Sequence, residues 1–181
     1  MTRVRIIVCG LMVMFFASTG AQAETFYEAS IGISHYALDI VSKRGSTYED
    51  TSNGVIGTIA AYRQTSPRSA WGAAIEYTSP IGREDDLLGS GKILGFRVLN
   101  YLRDVGRGTS VELYAGAAQF DWERTANGYL LGLAVRYNLY KDKAGLTLDS
   151  KYYQDLAYDD FTTGDEIVDG YHSSLKFFYR F

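Results

Sequence analysis

Apolar and polar residues alternate along the last segment of the chain, residues 170–181. One face of a strand over these residues would carry mainly aromatic and aliphatic side chains: Tyr171, Ser173, Leu175, Phe177, Tyr179 and Phe181. The opposite face would carry His172, Ser174, Lys176, Phe178 and Arg180. Successive side chains of a strand point to opposite faces. The pattern therefore predicts a strand with lipid on one side and a polar interior on the other.

Seven earlier segments alternate in a similar way. The eight segments cover residues 25–38, 55–64, 69–78, 92–102, 110–120, 128–140, 144–153 and 170–181. Each has about the 9–11 residues that a tilted strand needs to cross a bilayer, or slightly more. Long connections alternate with short ones, as in bacterial outer-membrane barrels with extracellular loops and periplasmic turns. The chain is thus predicted to be all-β: an eight-stranded antiparallel transmembrane β-barrel with up-and-down meander order.

The type of the predicted outward side chains also depends on their position across the membrane. Aromatic residues lie near both ends of the strands, and aliphatic residues such as Ile33, Leu113 and Leu133 lie between them. The aromatic residues near the periplasmic ends are Tyr27, Trp71, Tyr137, Tyr179 and Phe181, and those near the outer ends are Tyr77, Tyr129, Tyr152 and Tyr171. Two aromatic belts around an aliphatic band are typical of a membrane-spanning barrel. A soluble lipocalin-like barrel is the alternative, but it would bury the charged faces.

The first 23 residues have the pattern of a cleaved signal peptide. Arg3 and Arg5 precede a short apolar run, and residues 21–23 read Ala-Gln-Ala, a typical cleavage site. Residues 24–181 then form the mature barrel domain, without the only cysteine, Cys9. Loss of the two arginines leaves 16 of the 18 basic residues against 21 acidic ones, a formal charge of −5. This acidic balance argues against a nucleic-acid partner.

The predicted interior contains charges of both signs. Four acids would face five bases there: Glu28, Glu76, Glu112 and Asp149, against Arg97, Arg136, Lys151, Lys176 and Arg180. Unpaired buried charge is costly, so these groups are expected to pair. Side chains just fill an eight-stranded barrel, whereas a diffusion pore has roughly 16 strands. We therefore predict a solid polar core without an open pore; a narrow conduit for a small solute or lipid is the alternative.

The strongest catalytic candidate is the pair His172 and Ser174. Some outer-membrane barrels modify lipid A with a histidine and a serine, and a histidine can activate a serine hydroxyl. The alternation turns both residues inward, however, away from lipid, and it supplies no third member. His35 is predicted to face outward near the outer interface, with Ser34 on the opposite face. The sequence thus predicts no enzyme activity, no catalytic residues and no cofactor, with a lipid A-modifying enzyme as the alternative.

The predicted outer loops are rich in acidic residues, which suit calcium or magnesium. The acids are Glu84, Asp85, Asp86, Asp155, Asp159, Asp160, Asp165, Glu166 and Asp169. Their spacing matches no known calcium loop, so no metal site is predicted. Aromatic residues also fall in the predicted loops and could anchor an extracellular ligand or host surface: Tyr48, Trp122, Tyr158 and Phe161.

The whole mature chain resembles the small opacity-protein and OmpX/Ail-type outer-membrane barrels. The resemblance rests on the Ala-Gln-Ala site, the first strand Phe-Tyr-Glu-Ala-Ser-Ile-Gly at 26–32, the eight segments and the terminal Tyr-Arg-Phe. It implies a monomer in the Gram-negative outer membrane, in contact with lipids and lipopolysaccharide. It also implies that Phe177, Tyr179 and Phe181 form the signal read by the barrel-assembly machinery. Members of this class are adhesins, complement-evasion proteins or proteins of unknown role, and no feature of the sequence selects among these.

Overall fold

Eight long strands account for most of the described chain. A computed structural model describes residues 24–41, 47–81, 92–122, 124–158 and 167–181. The strands are β1 (Thr25–Val41), β2 (Thr47–Ser66), β3 (Ser69–Pro80), β4 (Lys92–Gly106), β5 (Thr109–Trp122), β6 (Arg124–Tyr140), β7 (Ala144–Tyr158) and β8 (Ile167–Arg180). All eight predicted strands are therefore present, in the predicted order.

The strands close into one antiparallel barrel. Each strand pairs with its neighbours in the chain, and β8 pairs with β1. This closing seam runs from Glu28 opposite Arg180 to Val41 opposite Ile167. Closure removes the free edges that an open sheet would expose. The fold is thus the predicted up-and-down meander of eight antiparallel strands.

The strand boundaries differ from the prediction at the outer end. β2 begins at Thr47 rather than at residue 55, and only residue 123 separates β5 from β6. Tyr48, Trp122 and Tyr158, predicted in loops, lie in strands β2, β5 and β7. Polar residues mark where a strand leaves the bilayer, but the backbone ladder continues beyond that point. The prediction therefore located the end of the apolar band rather than the end of the strand.

The alternation of faces is confirmed in the strands. On β6, Leu131 and Leu133 are exposed on the outside, whereas Ala134 and Arg136 are buried. Strand β4 breaks the alternation, because the pairing with β5 shifts between Arg97 and Leu99. A bulge of this kind places two residues opposite one. Both Arg97 and Asn100 consequently face inward.

The turns at the end that the sequence predicts to be periplasmic, called the periplasmic end below, are short and have special backbone conformations. Arg107 and Gly108, between β4 and β5, have φ angles of 56° and 72°. Two successive residues with positive φ are typical of the tight turns that join twisted antiparallel strands. Lys141 and Asp142, in the predicted turn between β6 and β7, also have positive φ.

Residues 1–23, where the sequence predicts a signal peptide, lie outside the described residues. Among the residues that are described, no helix is long and apolar enough to cross a membrane.

Close packing in the interior predicts that replacing Gly132 by a larger residue destabilises the barrel. A Cβ atom at Gly132 would lie 2.1 Å from Tyr114 Cζ, so Gly132→Ala must displace the Tyr114 ring. We expect this substitution to lower the free energy of unfolding by about 1–3 kcal/mol. Urea unfolding of the refolded barrel in lipid vesicles would measure the change. Gly57→Ala is the matched control, because the nearest atom to its added Cβ is 4.0 Å away. Equal unfolding free energies for the two variants would contradict the predicted packing.

Candidate functional site

Arg97 is the centre of an ion-pair network inside the barrel. Its Nη2 atom lies 2.6 Å from Glu76 Oε2 and 2.6 Å from Asp149 Oδ2. Its Nη1 atom lies 3.3 Å from Glu112 Oε1. The guanidinium also lies over the Tyr114 ring, 3.6 Å from the centroid. One arginine thus joins three acids, each from a different strand.

Two lysines complete this half of the network. Lys151 pairs with Glu76, and Lys176 Nζ lies 2.5 Å from Asp149 Oδ2. The Tyr114 hydroxyl donates a hydrogen bond to Asp149. All of these side chains are buried. Because buried charge is tolerated only when paired and hydrogen-bonded, their mutual arrangement is strongly constrained.

A second half of the network surrounds Arg136. Arg136 pairs with Glu28, and its Nη1 atom lies 3.7 Å from Glu112 Oε2, which connects the two halves. The Tyr62 hydroxyl donates a 2.8 Å hydrogen bond to Glu112 Oε1. Arg180 Nε lies 3.9 Å from Glu28 at the more exposed periplasmic end. The predicted pairing of four acids with five bases is therefore observed. Tyr62 and Tyr114 also take part, a role that the charge pattern did not predict.

The barrel interior also contains two separate apolar clusters. One cluster consists of Ala60, Tyr62, Ala70, Ala74 and Leu102, with Phe26 packed against it. The other consists of Tyr36, Leu38, Ile93, Tyr114, Ala118, Phe120, Leu130, Ala134 and Tyr153. The first belongs to the periplasmic half of the strands, and the second to the outer half. Large side chains thus fill the described interior on both sides of the ion pairs.

The predicted catalytic pair lies inside the barrel. His172 and Ser174 are buried, as the alternation of β8 indicates. The imidazole of His172 stacks on Tyr36, with ring centroids 5.8 Å apart, and meets the edge of Tyr153 at 6.0 Å. Neither of its ring nitrogens, nor Ser174 Oγ, has a hydrogen-bond partner among the described residues. The pair is thus shielded from lipid, and its two members are not hydrogen-bonded to each other.

The predicted assembly residues are on the outer surface of the closing strand. Phe177 and Tyr179 face outward on β8, and Phe181 follows that strand with 73% of its surface exposed. The rings of Tyr179 and Phe181 meet edge to face, with centroids 5.3 Å apart. They form one aromatic patch at the periplasmic end of the seam.

The structure describes two of the nine predicted acidic loop residues. Asp155 and Asp169 lie in strands β7 and β8 rather than in loops, and the remaining acids lie outside the described residues. Within the described ranges, no group of three or more histidine, cysteine or acidic residues is arranged to hold a metal ion.

His35 faces outward, as predicted, and has a partner that the sequence did not reveal. Its Nδ1 atom lies 3.0 Å from Asn53 Oδ1 on β2. Ser173 lies directly opposite His35 on the other neighbouring strand, β8. Only the pairing register could have shown this, because the three residues are far apart in the sequence.

The ion-pair network predicts that removing one charge greatly lowers the free energy of unfolding. We expect Glu76→Gln to destabilise the barrel by about 3–5 kcal/mol, because Arg97 and Lys151 would lose a buried counter-charge. Urea unfolding in lipid vesicles would measure this loss. Glu24→Gln, an exposed acid ahead of β1, is the control and should change stability by less than about 0.5 kcal/mol. A Glu76→Gln barrel as stable as the control would show that the network does not hold the strands together.

Comparison with known proteins gives matches in structure only. No family model matches the chain, and no curated protein matches its sequence. Neisserial surface protein A superposes with a TM-score of 0.53 at 13% identity, over 86% of this chain and 97% of that one. OprG of Pseudomonas aeruginosa gives 0.51 at 11% identity, over 88% and 97%. Ail, the attachment invasion locus protein of Yersinia pestis, gives 0.50 at 15% identity, over 85% and 98%.

These identities are low, so the similarity concerns the fold. It agrees with the resemblance that the sequence pattern indicated. The chain has the fold of the small eight-stranded outer-membrane β-barrels of the OmpX/Ail and opacity-protein class.

Proposed function

We propose that the protein is a monomeric integral protein of the Gram-negative outer membrane that is closed to solutes and acts at the cell surface. Its partners in the membrane are phospholipids and lipopolysaccharide, and its outer loops contact an extracellular ligand. Residues 1–23 act as the export signal and are removed. Phe177, Tyr179 and Phe181 guide the chain to the barrel-assembly machinery.

The inverted distribution of polarity is the observation that carries this proposal. Ile31 and Leu131, for example, keep 65% and 66% of their surface exposed, whereas Arg97 and Asp149 are buried. A soluble barrel would place these groups the other way round. Exposed aliphatic side chains surround the middle of the barrel, and exposed tyrosines lie towards both ends. Lipid is the environment that suits such a surface.

The filled interior supports the closed state. Ion pairs connect strands across the barrel, and apolar clusters pack on both sides of them. A solute could pass only if several buried ion pairs separated, and each unpaired charge would be costly. The conduit that the sequence left open is therefore the weaker proposal.

Planar bilayers test this proposal directly. Purified barrel, checked for folding by its heat-modifiable gel mobility, should produce no discrete conductance steps, because its interior is filled. A general porin reconstituted in parallel is the positive control. Regular single-channel steps from the folded barrel would contradict the closed state. Recovery of the protein from periplasmic extract, rather than from the membrane fraction, would contradict the membrane location itself.

The proposed assembly signal predicts an effect on yield rather than on stability. Deletion of Phe181 should lower the amount of heat-modifiable barrel in outer membranes several-fold, because the terminal aromatic strand is the feature offered to the assembly machinery. Immunoblots of membrane fractions would measure this amount. Tyr137→Ala is the control, since Tyr137 is exposed in the same periplasmic half but lies on β6. Equal amounts of folded barrel in the deletion and in the control would remove the proposed signal.

A further inference from the structure

A row of four polar side chains crosses the outward face of the barrel on four neighbouring strands. Ser150 on β7 is paired with Ser173 on β8, Ser173 with His35 on β1, and His35 with Asn53 on β2. All four residues are exposed on the outside. The row includes the closing seam and is formed only when the barrel closes. We call these four residues the seam row.

The seam row lies at the boundary between the aliphatic band and the outer aromatic belt. Two positions further out, the rings of Tyr152 and Tyr171 meet with centroids 5.0 Å apart. Two positions further in are the exposed aliphatic side chains of Leu148, Leu175 and Ile33. Tyrosine favours the headgroup level and aliphatic side chains favour the acyl chains. The seam row therefore lies at the depth where the ester bonds of a lipid are found.

The middle of the seam row has the order of a nucleophile, a base and an orienting group. His35 Nδ1 lies 3.0 Å from Asn53 Oδ1. In the tautomer with its proton on Nδ1, the imidazole donates to this oxygen, and Nε2 is the basic nitrogen. Ser173 lies directly opposite His35 on β8, the neighbouring strand on the side away from Asn53. Cβ atoms of directly opposed residues lie about 4.5–5.5 Å apart, so a rotation of the Ser173 side chain can bring its hydroxyl to the imidazole. Such contacts are often long without substrate and tighten when it binds.

We propose that the seam row is the active site of a lipid acyl-ester hydrolase, with Ser173 as nucleophile, His35 as base and Asn53 as the orienting residue. This inference rests on the outer-membrane placement proposed above. It departs from the sequence-based expectation of no enzyme activity, which considered the buried pair His172 and Ser174. An asparagine can orient a catalytic histidine, because the role requires a hydrogen-bond acceptor at Nδ1.

The reaction consists of two acyl transfers. Ser173 Oγ attacks the ester carbonyl carbon while His35 Nε2 takes the hydroxyl proton. The bond between that carbon and the alcohol oxygen breaks, and His35 returns the proton to the leaving alcohol. Water then attacks the acyl-serine, again through His35, which releases the fatty acid and restores Ser173. Ser150 is paired with Ser173 on the other side, and in this proposal its hydroxyl donates to the oxyanion in both steps.

The substrate class is a membrane lipid with an ester-linked fatty acyl chain. A headgroup at the level of Tyr152 and Tyr171 would place the acyl chain along Leu175 and Ile33, with its ester at the seam row. Glycerophospholipids and lipid A both contain such esters. Water needed for the second step reaches this depth because the row adjoins the headgroup region.

Mass spectrometry of lipid products tests the proposal. Detergent-folded wild-type protein would be incubated separately with phosphatidylethanolamine–phosphatidylglycerol mixed micelles and with dispersed lipid A. We expect a free fatty acid together with either a lysophospholipid or a deacylated lipid A, and the product identifies which lipid is the substrate. Ser173→Ala should lower the rate by about 10³-fold or more. His35→Gln should lower it by about 10²–10⁴-fold, and Asn53→Ala should lower kcat more than it raises KM.

The control is Ser174→Ala, the serine next in sequence to Ser173 but on the inner face of the same strand, and it should retain the wild-type rate. An alkyl fluorophosphonate supplies a second readout, since it should phosphonylate Ser173 of the folded wild type with loss of fluoride and should not label folded Ser173→Ala. Heat-modifiable mobility confirms that each variant is folded.

Folded wild-type protein that releases no fatty acid from either lipid and forms no adduct would overturn the hydrolase proposal. That result would leave the membrane location intact, because the location is tested separately by fractionation. Undiminished activity in folded Ser173→Ala would equally overturn the assignment.

Discussion

Paired charges in the barrel interior are the interaction on which the rest of the structure depends. Every strand contributes at least one member to the network or its hydrogen bonds, for example Glu28, Tyr62, Glu76, Arg97, Glu112, Arg136, Asp149 and Lys176. A register slip of one residue on any strand would turn its member towards lipid and leave a partner unpaired. The network therefore selects one register among the many that a regular alternation of apolar and polar residues would permit.

Because ion pairs and apolar side chains fill the interior, we expect the functional site on the outer surface of the barrel. In the closed state that we propose, the interior has no solute path of the porin type. The outward face, by contrast, is apolar over most of the strand length. The exposed polar side chains of the seam row differ from this surface, and this difference supports the proposed active site. The same seam that closes the barrel brings Ser173, His35 and Asn53 together, so the proposed active site depends on the register that the ion pairs select.

The sequence predicted the fold well because alternation is a local property. Most strands show it independently, and a lipid-facing surface makes the contrast between faces strong. Strand ends were predicted less well, since polar residues in β2 and β5 continue the ladder beyond the apolar band. The register could not be predicted, because it depends on contacts between residues far apart in the chain. The sequence therefore indicated the pair His172 and Ser174, which are close along the chain. It could not indicate the outward partners of His35, because these are adjacent only through the register.

The central claim is that the aliphatic face meets lipid and the charged face is sealed inside. Cys9 lies in the predicted signal peptide, so single cysteines can be introduced into a mature chain that otherwise has none. Spin labels at Ile31, Ile33, Leu131 and Leu133 of the barrel in lipid vesicles should collide readily with oxygen and poorly with a water-soluble nickel complex. The account predicts this ordering at all four positions. Higher accessibility to the nickel complex than to oxygen at these positions would contradict it.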